Sequence, residues 1–180
     1  MSIKNSVFIA TSLDGYIADK EGGIDYLNSI PNPKGDDMGY SQFIGRIDAI
    51  VMGRTTFETV CSFDMEWPYT IPVFVLSNRL TEILAPYKGK AYLAKGPLTE
   101  VLSGINEQGF NKLYIDGGKT IQSFLQEDLI DEMVITTIPV LLGGGFSLFG
   151  ELANPLPFKC VETTVLLDAA VQSRFMRTKE

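Results

Sequence analysis

Histidine is absent from this chain of 180 residues. That excludes histidine-bearing zinc sites, Ser-His-Asp triads and imidazole acids or bases in one step. Acid–base work then falls to carboxylates, lysine, tyrosine or hydroxyls. Cysteine is scarce: Cys61 and Cys160 stand far apart and CxxC is missing, so one bridge is conceivable but a disulfide framework is not. The sequence offers no metal-ligating set. Bases are outnumbered, 15 against 22 acids for a formal charge of −7, which disfavours a general nucleic-acid surface while leaving room for a local cationic patch. The N-terminal apolar run, Val7 to Ala10, is too short for a signal peptide or a membrane span. The expectation is a cytoplasmic protein that engages neither nucleic acid nor membrane.

What is present suits one globular domain over residues 1–180. Hydrophobic residues make up 45% and charged residues 21%, and the glycines and prolines follow no period. A compact chain of this mass exposes about 8,600 Å² folded against about 28,700 Å² unfolded, enough burial for a core without staples.

Ser6 to Ala10 reads as a buried strand. Leu13 to Tyr16 reads as a turn, and Glu21-Gly22-Gly23 and Pro31 to Asp37 as loops. Tyr40, Phe43, Ile44 and Ile47 share one helical face. Ala49 to Met52 is a strand, followed by a helix that Thr55 or Thr56 would cap, with Phe57, Val60 and Cys61 turned inward. Pro72 to Leu76 and Ala91 to Ala94 are strands; Leu98, Val101, Leu102 and Ile105 mark a further helix. Lys112 to Ile115 is a strand before a helix carrying Ile121, Phe124 and Leu125. Met133 to Val140 is a strand that Pro139 ends or places at an edge. Lys159 to Leu167 and Val171 to Arg177 form a closing hairpin. Alternating units of this kind predict an α/β fold: a mostly parallel central sheet, helices on both faces and an antiparallel C-terminal hairpin.

Three segments repeat one layout of strand, tight polar turn, next element: Val51 to Thr56, Val75 to Arg79 and Tyr114 to Thr120. In an open parallel sheet these turns share the carboxyl edge, where α/β proteins bind ligands. Gly53, Gly117 and Gly118 allow close backbone approach. The helix starts after Gly53 and Gly118 offer free N–H donors. Arg54, Arg79 and Lys119 bring cations, and Ser77, Thr55, Thr56 and Thr120 bring hydroxyls. Any single turn has a plainer reading as cap, bend or solvated surface. Three together favour a ligand with several phosphates, such as a dinucleotide. Trp67 and Tyr69 suit either a pocket wall or packing. Phe146, Leu148 and Phe149 suit the core or a dimer contact.

Ala10 to Ala18, Met52 to Glu58, Leu76-Ser77-Asn78, Ile115 to Gly118 and Pro139 to Gly145 occur in one order over nearly the whole chain. This set resembles the dihydrofolate reductase-like superfamily. It is nearest the reductase, C-terminal domain of the bifunctional riboflavin-biosynthesis deaminase-reductase, a branch with many stand-alone bacterial members. The resemblance implies an NADPH-dependent reductase of a small heterocyclic or sugar-carbonyl substrate, similar to 5-amino-6-(5-phosphoribosylamino)uracil reductase, and a homodimer. It implies that Ala10 and Ile17 hold the nicotinamide carboxamide through backbone groups. Gly53, Arg54, Thr55 and Thr56 would hold the pyrophosphate and adenosine side. Ser77, Asn78 and Arg79 would read the ribose 2′-phosphate, and Gly117, Gly118, Lys119 and Thr120 would close on the pyrophosphate.

The resemblance also places Asp37 where dihydrofolate reductases keep a substrate-binding carboxylate, with Thr136 as its partner. Asp14 is the other candidate acid. Asp36-Asp37 equally suits a helix N-cap, and Asp14-Gly15 a simple turn. Two departures bear on substrate. No arginine precedes Val73 to hold a folate tail, which argues against a true dihydrofolate reductase, and the zinc deaminase module is missing. Basic residues for a phosphoribosyl substrate are not evident. The alternative to an enzyme is a nucleotide-binding domain without turnover.

Overall fold

The computed structural model describes residues 2–179. β1 (Lys4–Ser12) and β2 (Tyr16–Ala18) open the chain, with a 3-10 turn at Asp25–Ser29. Then come α1 (Tyr40–Ile44), β3 (Ala49–Gly53), α2 (Arg54–Ser62), β4 (Val73–Leu76) and β5 (Ala91–Ala94). α3 (Leu98–Glu107), β6 (Lys112–Asp116), α4 (Gly118–Gln126) and β7 (Glu132–Ile138) follow. β8 (Phe146–Ser147), β9 (Phe158–Leu166) and β10 (Ala170–Arg177) complete it.

Eight strands form one sheet in the order β5-β4-β3-β6-β1-β7-β10-β9. β1 and β3 to β7 run parallel, β10 adds antiparallel to β7, and β9 adds antiparallel to β10. The expected α/β architecture is therefore the one observed. β3 is buried on both faces from Ala49 to Met52, as an unbroken apolar run in a covered parallel strand should be. Val7, Val51, Leu113 and Ile115 pack against α3 and α4 on one face. Ile50, Met52, Val73 and Tyr114 pack with Phe43 of α1 and Phe57 of α2 on the other.

Several boundaries move. β1 runs two residues beyond each end of the expected strand because β6 and β7 flank it. α1 stops at Ile44, since Gly45 follows, so Ile47 joins the core from outside the helix. β7 ends at Ile138, before the proline that cannot donate to a ladder. β2 and β8, which no strand expectation covers, pair with each other outside the main sheet. Neither Thr55 nor Thr56 caps α2; Gly53 holds the cap position and no side chain bonds the helix start.

The accessible surface is 10451 Å², well above the about 8,600 Å² of a compact chain this size. Much of β9 is exposed, including Val161 and Val165. No helix among the described residues is long and apolar enough to cross a membrane.

Candidate active site

Register brings the three turns together. Gly53 lies opposite Leu76, and Met52 opposite Asp116. Arg54, Ser77 and Gly117, each the next residue along its strand, therefore emerge side by side at one sheet edge. A cavity of about 720 Å³ opens there, lined by Gly53, Arg54, Thr55, Thr56, Gly117, Gly118, Lys119 and Thr120, with Ile17 on its wall. Ser77, Asn78 and Arg79 are outside that lining. Ser77 accepts the amides of Arg79 and Leu80, and Asn78 Oδ1 accepts the amide of Gly96, so this turn is self-contained beside the cavity.

Two of the turns interlock through missing side chains. A Cβ on Gly53 would lie 2.7 Å from Thr120 Oγ1, and one on Gly117 would lie 2.5 Å from Thr56 Oγ1. Gly117 also has φ 97°, a conformation that disfavours any side chain. The first turns of α2 and α4 have no side-chain cap, so their N–H groups stay free to meet an acceptor. Arg54 Nη1 donates to both carboxylate oxygens of Glu58 at 3.0 Å in an exposed pair, weak enough for a phosphate to displace.

Behind Ile17, the buried Tyr26 hydroxyl lies 3.1 Å from both the Ala10 and Ile17 carbonyl oxygens. Burial pushes its pKa to about 12. Asp14 ties the β1–β2 turn to the glycine run. Its carboxylate accepts the Ser12 hydroxyl at 2.6 Å and the amides of Leu142 and Gly143 at 3.1 and 2.8 Å. The Ser12 hydrogen bond leads in holding its pKa below the usual 3.8, so the geometry makes Asp14 an ionised anchor.

Asp37 is exposed and accepts the amides of Gly39 and Ser41, a capping pattern, and Ser41 leads in lowering its pKa. Thr136 is buried, but its partner is not Asp37. Thr136 Oγ1 accepts from Gln172 Nε2, which also donates to the Met38 carbonyl. The expected carboxylate–threonine pair is thus replaced by a glutamine strut from β10, a partner that spacing within the first half of the chain cannot reveal.

The carboxylate that stands out is Asp116. It ends β6 on the same face as Tyr114, and burial raises its pKa to about 6 against the lesser opposing pulls of the Gly117 amide and Tyr114. Tyr40 and Tyr69 stand near enough for its charge to raise both their pKa values, after burial. Tyr114 donates to the Phe8 carbonyl at 3.0 Å. Asp116 was visible in the sequence as an acid directly before Gly117-Gly118, with an aromatic two residues back on the same face. Nothing local tells that Tyr40 and Tyr69 converge on it. Trp67 packs 5.2 Å from Tyr69 and 5.0 Å from Tyr87, and its buried indole N–H has no acceptor among the described residues.

The chain matches the RibD C-terminal domain model over residues 6–171. It is 54% identical to a solved "Putative riboflavin biosynthesis protein" from Shewanella sp. PV-4, with 98% of this chain and 100% of that one covered and a TM-score of 0.96. A deaminase/5-amino-6-(5-phosphoribosylamino)uracil reductase from Thermotoga maritima aligns at TM-score 0.74 and 15% identity, over 98% of this chain and 57% of that one. The dihydrofolate reductase of Enterococcus faecalis, solved with NADP(H), aligns at TM-score 0.68 and 16% identity, over 98% and 97%. The last two share the fold.

Proposed function

The chain belongs to the RibD C-terminal domain family, and from that premise we propose that it is an NADPH-dependent reductase of a small heterocyclic or sugar-carbonyl substrate. The observation that carries this reading is the interlocked pair of turns. Added Cβ atoms at Gly53 and Gly117 would collide with Thr120 and Thr56, and two uncapped helix starts face the same cavity. That arrangement suits a pyrophosphate. The Enterococcus enzyme's complex with NADP(H) supports the same cofactor class.

In this reading Gly53, Arg54, Thr55, Thr56, Gly117, Gly118, Lys119 and Thr120 hold the diphosphate. Ser77, Asn78 and Arg79 serve the 2′-phosphate from the adjoining turn, and the Ala10 and Ile17 carbonyls serve the carboxamide. The cofactor, when bound, supplies the hydride. Asp116 is the proton donor: burial keeps its carboxyl protonated to about pH 6, so it can hold an acceptor heteroatom by its O–H and protonate it. Tyr40 and Tyr69 stand near that carboxyl and shield it from water. Asp14, Asp37 and Thr136 fix the surrounding loops. Positioning of donor and acceptor provides most of the rate.

Two further proposals accompany it. A second copy of the chain covers the exposed hairpin carrying Val161, Val165 and Val171, in line with the large accessible surface. The protein works in the reducing cytoplasm, in line with free thiols at Cys61 and Cys160.

The test is thermal protection by NADPH, followed by its oxidation against a panel of carbonyl and pyrimidine acceptors. Protection with turnover is expected. Protection without turnover would reduce the protein to a nucleotide-binding domain. No protection at millimolar NADPH would remove the cofactor reading.

A further inference from the structure

Glu132 lies on β7 with no accessible surface. Its two oxygens receive the Ser6 hydroxyl at 2.9 Å, Lys4 Nζ at 3.1 Å, Arg46 Nη1 at 3.0 Å and Arg174 Nε at 2.5 Å. A buried carboxylate needs compensation, and one well-placed cation can supply it. Three cations leave two positive charges unmatched, in a chain whose overall charge is −7. The cations are not sealed in: the Arg46 and Arg174 side chains stay 37% and 38% accessible.

Both arginines border a separate cavity of about 330 Å³ between α1 and the β10–β9 hairpin, whose lining also includes Gln42, Gln172, Thr164 and Glu162. None of these residues lines the cavity at the glycine turns. A guanidinium presents five N–H donors in a planar fork. Among the described residues, Arg46 pairs with Glu132 and lies over the Phe43 ring, and Arg174 bonds Glu132 and makes a long contact to the Met176 sulfur. The remaining guanidinium donors meet no acceptor among the described residues. Gln42 adds an amide and Thr164 a hydroxyl. Glu162, opposite Arg174 in register and in the same lining, offsets one of the two surplus charges.

We propose that this cavity binds a phosphoryl group, held by the free edges of Arg46 and Arg174 above the buried Glu132. Bidentate charge-assisted bonding to guanidinium forks is a recognition that phosphate oxygens can make and chloride cannot. Glu132 holds the two arginines in place and moderates their affinity. The site is independent of the nucleotide cavity and does not rest on the reductase reading. The phosphoryl group belongs either to free inorganic phosphate or to a phosphate monoester.

The experiment is calorimetric titration of the intact protein with inorganic phosphate and, separately, with glycerol 1-phosphate, at constant ionic strength set with chloride. Saturable binding is expected. Tighter binding of the ester would assign the site to a phosphorylated metabolite, and equal binding to phosphate itself. Arg46→Gln should weaken binding at least tenfold, because Lys4 and Arg174 still compensate Glu132 while one fork is lost. Glu132→Gln, an isostere without the competing charge, should strengthen it. Should Glu132→Gln fail to fold, Arg174→Gln replaces it and should weaken binding as Arg46→Gln does. NADPH protection should survive in Arg46→Gln, which separates this site from the nucleotide site. Absence of heat beyond the chloride control would overturn the proposal, as would affinity unchanged in both arginine variants.

Discussion

Thr56 sets its hydroxyl oxygen where Gly117 would carry a side chain, 2.5 Å from that missing Cβ. The two residues belong to different turns on neighbouring strands, and their closeness is what joins the turns into one cradle. Gly117→Ala should therefore destabilise the protein by about 1–3 kcal/mol, from strained φ and the clash together. Thr56→Ala in the same chain should relieve the clash and leave the backbone strain. Thermal melts of the single and double variants check this.

Arg54→Ala should leave stability almost untouched, because the pair with Glu58 is exposed and worth at most about 0.5 kcal/mol. It should nevertheless abolish most NADPH protection. Melts with and without NADPH read both effects. An undiminished shift would take Arg54 out of the nucleotide site.

Asp116 predicts a pH limb. Its folded pKa of about 6 lies above the ordinary 3.8, so the folded state resists ionisation. The penalty accrues from about pH 4 to 6 and is complete above that. Turnover that needs the neutral acid should fall as pH rises through about 6. Asp116→Asn should lose that limb and gain stability at pH 8, by about 1 kcal/mol after allowing for partial exposure. The gain should vanish at pH 4.

Glu132 carries the opposite sign. Burial alone would raise its pKa, but Arg46, Arg174, Lys4 and Ser6 outweigh burial and hold it at about 2, below the ordinary 4.5. The stability it contributes is complete above about pH 5 and is lost as pH falls towards 2, about 3 kcal/mol in all. Glu132→Ala should cost about 3–5 kcal/mol by leaving three cations without their partner. Acid titration of the melting temperature in both proteins checks the window.

Trp67→Phe should be neutral or slightly stabilising. It keeps most of the ring packing against Tyr69 and Tyr87 and deletes a buried N–H that has no acceptor among the described residues. Chemical denaturation measures the difference.

The sheet was legible because period and punctuation agree. Val73 to Leu76 and Ala49 to Met52 are apolar runs bounded by turn residues, and they are the strands β4 and β3. The glycine turns were legible because their chemistry is local. Partners far apart in sequence were not. Nothing in the residues around Thr136 points to Gln172, and nothing around Asp116 points to Tyr40 or Tyr69. Glu132 drew no attention, since one acid at a strand start gives no sign of three cations gathering on it. β2 and β8 are three and two residues long, below what alternation can reveal.

β1 is the first strand to be synthesised, yet both its neighbours, β6 and β7, come from the last 70 or so residues. A nascent chain emerging from the ribosome thus holds its central strand without either ladder until most of the polypeptide has been made. Closure of the sheet waits for these distant segments and is expected on the millisecond-to-second scale of folds dominated by distant pairings. Until then Val7 and its apolar neighbours lack the cover that β6, β7 and the helices give them in the finished sheet.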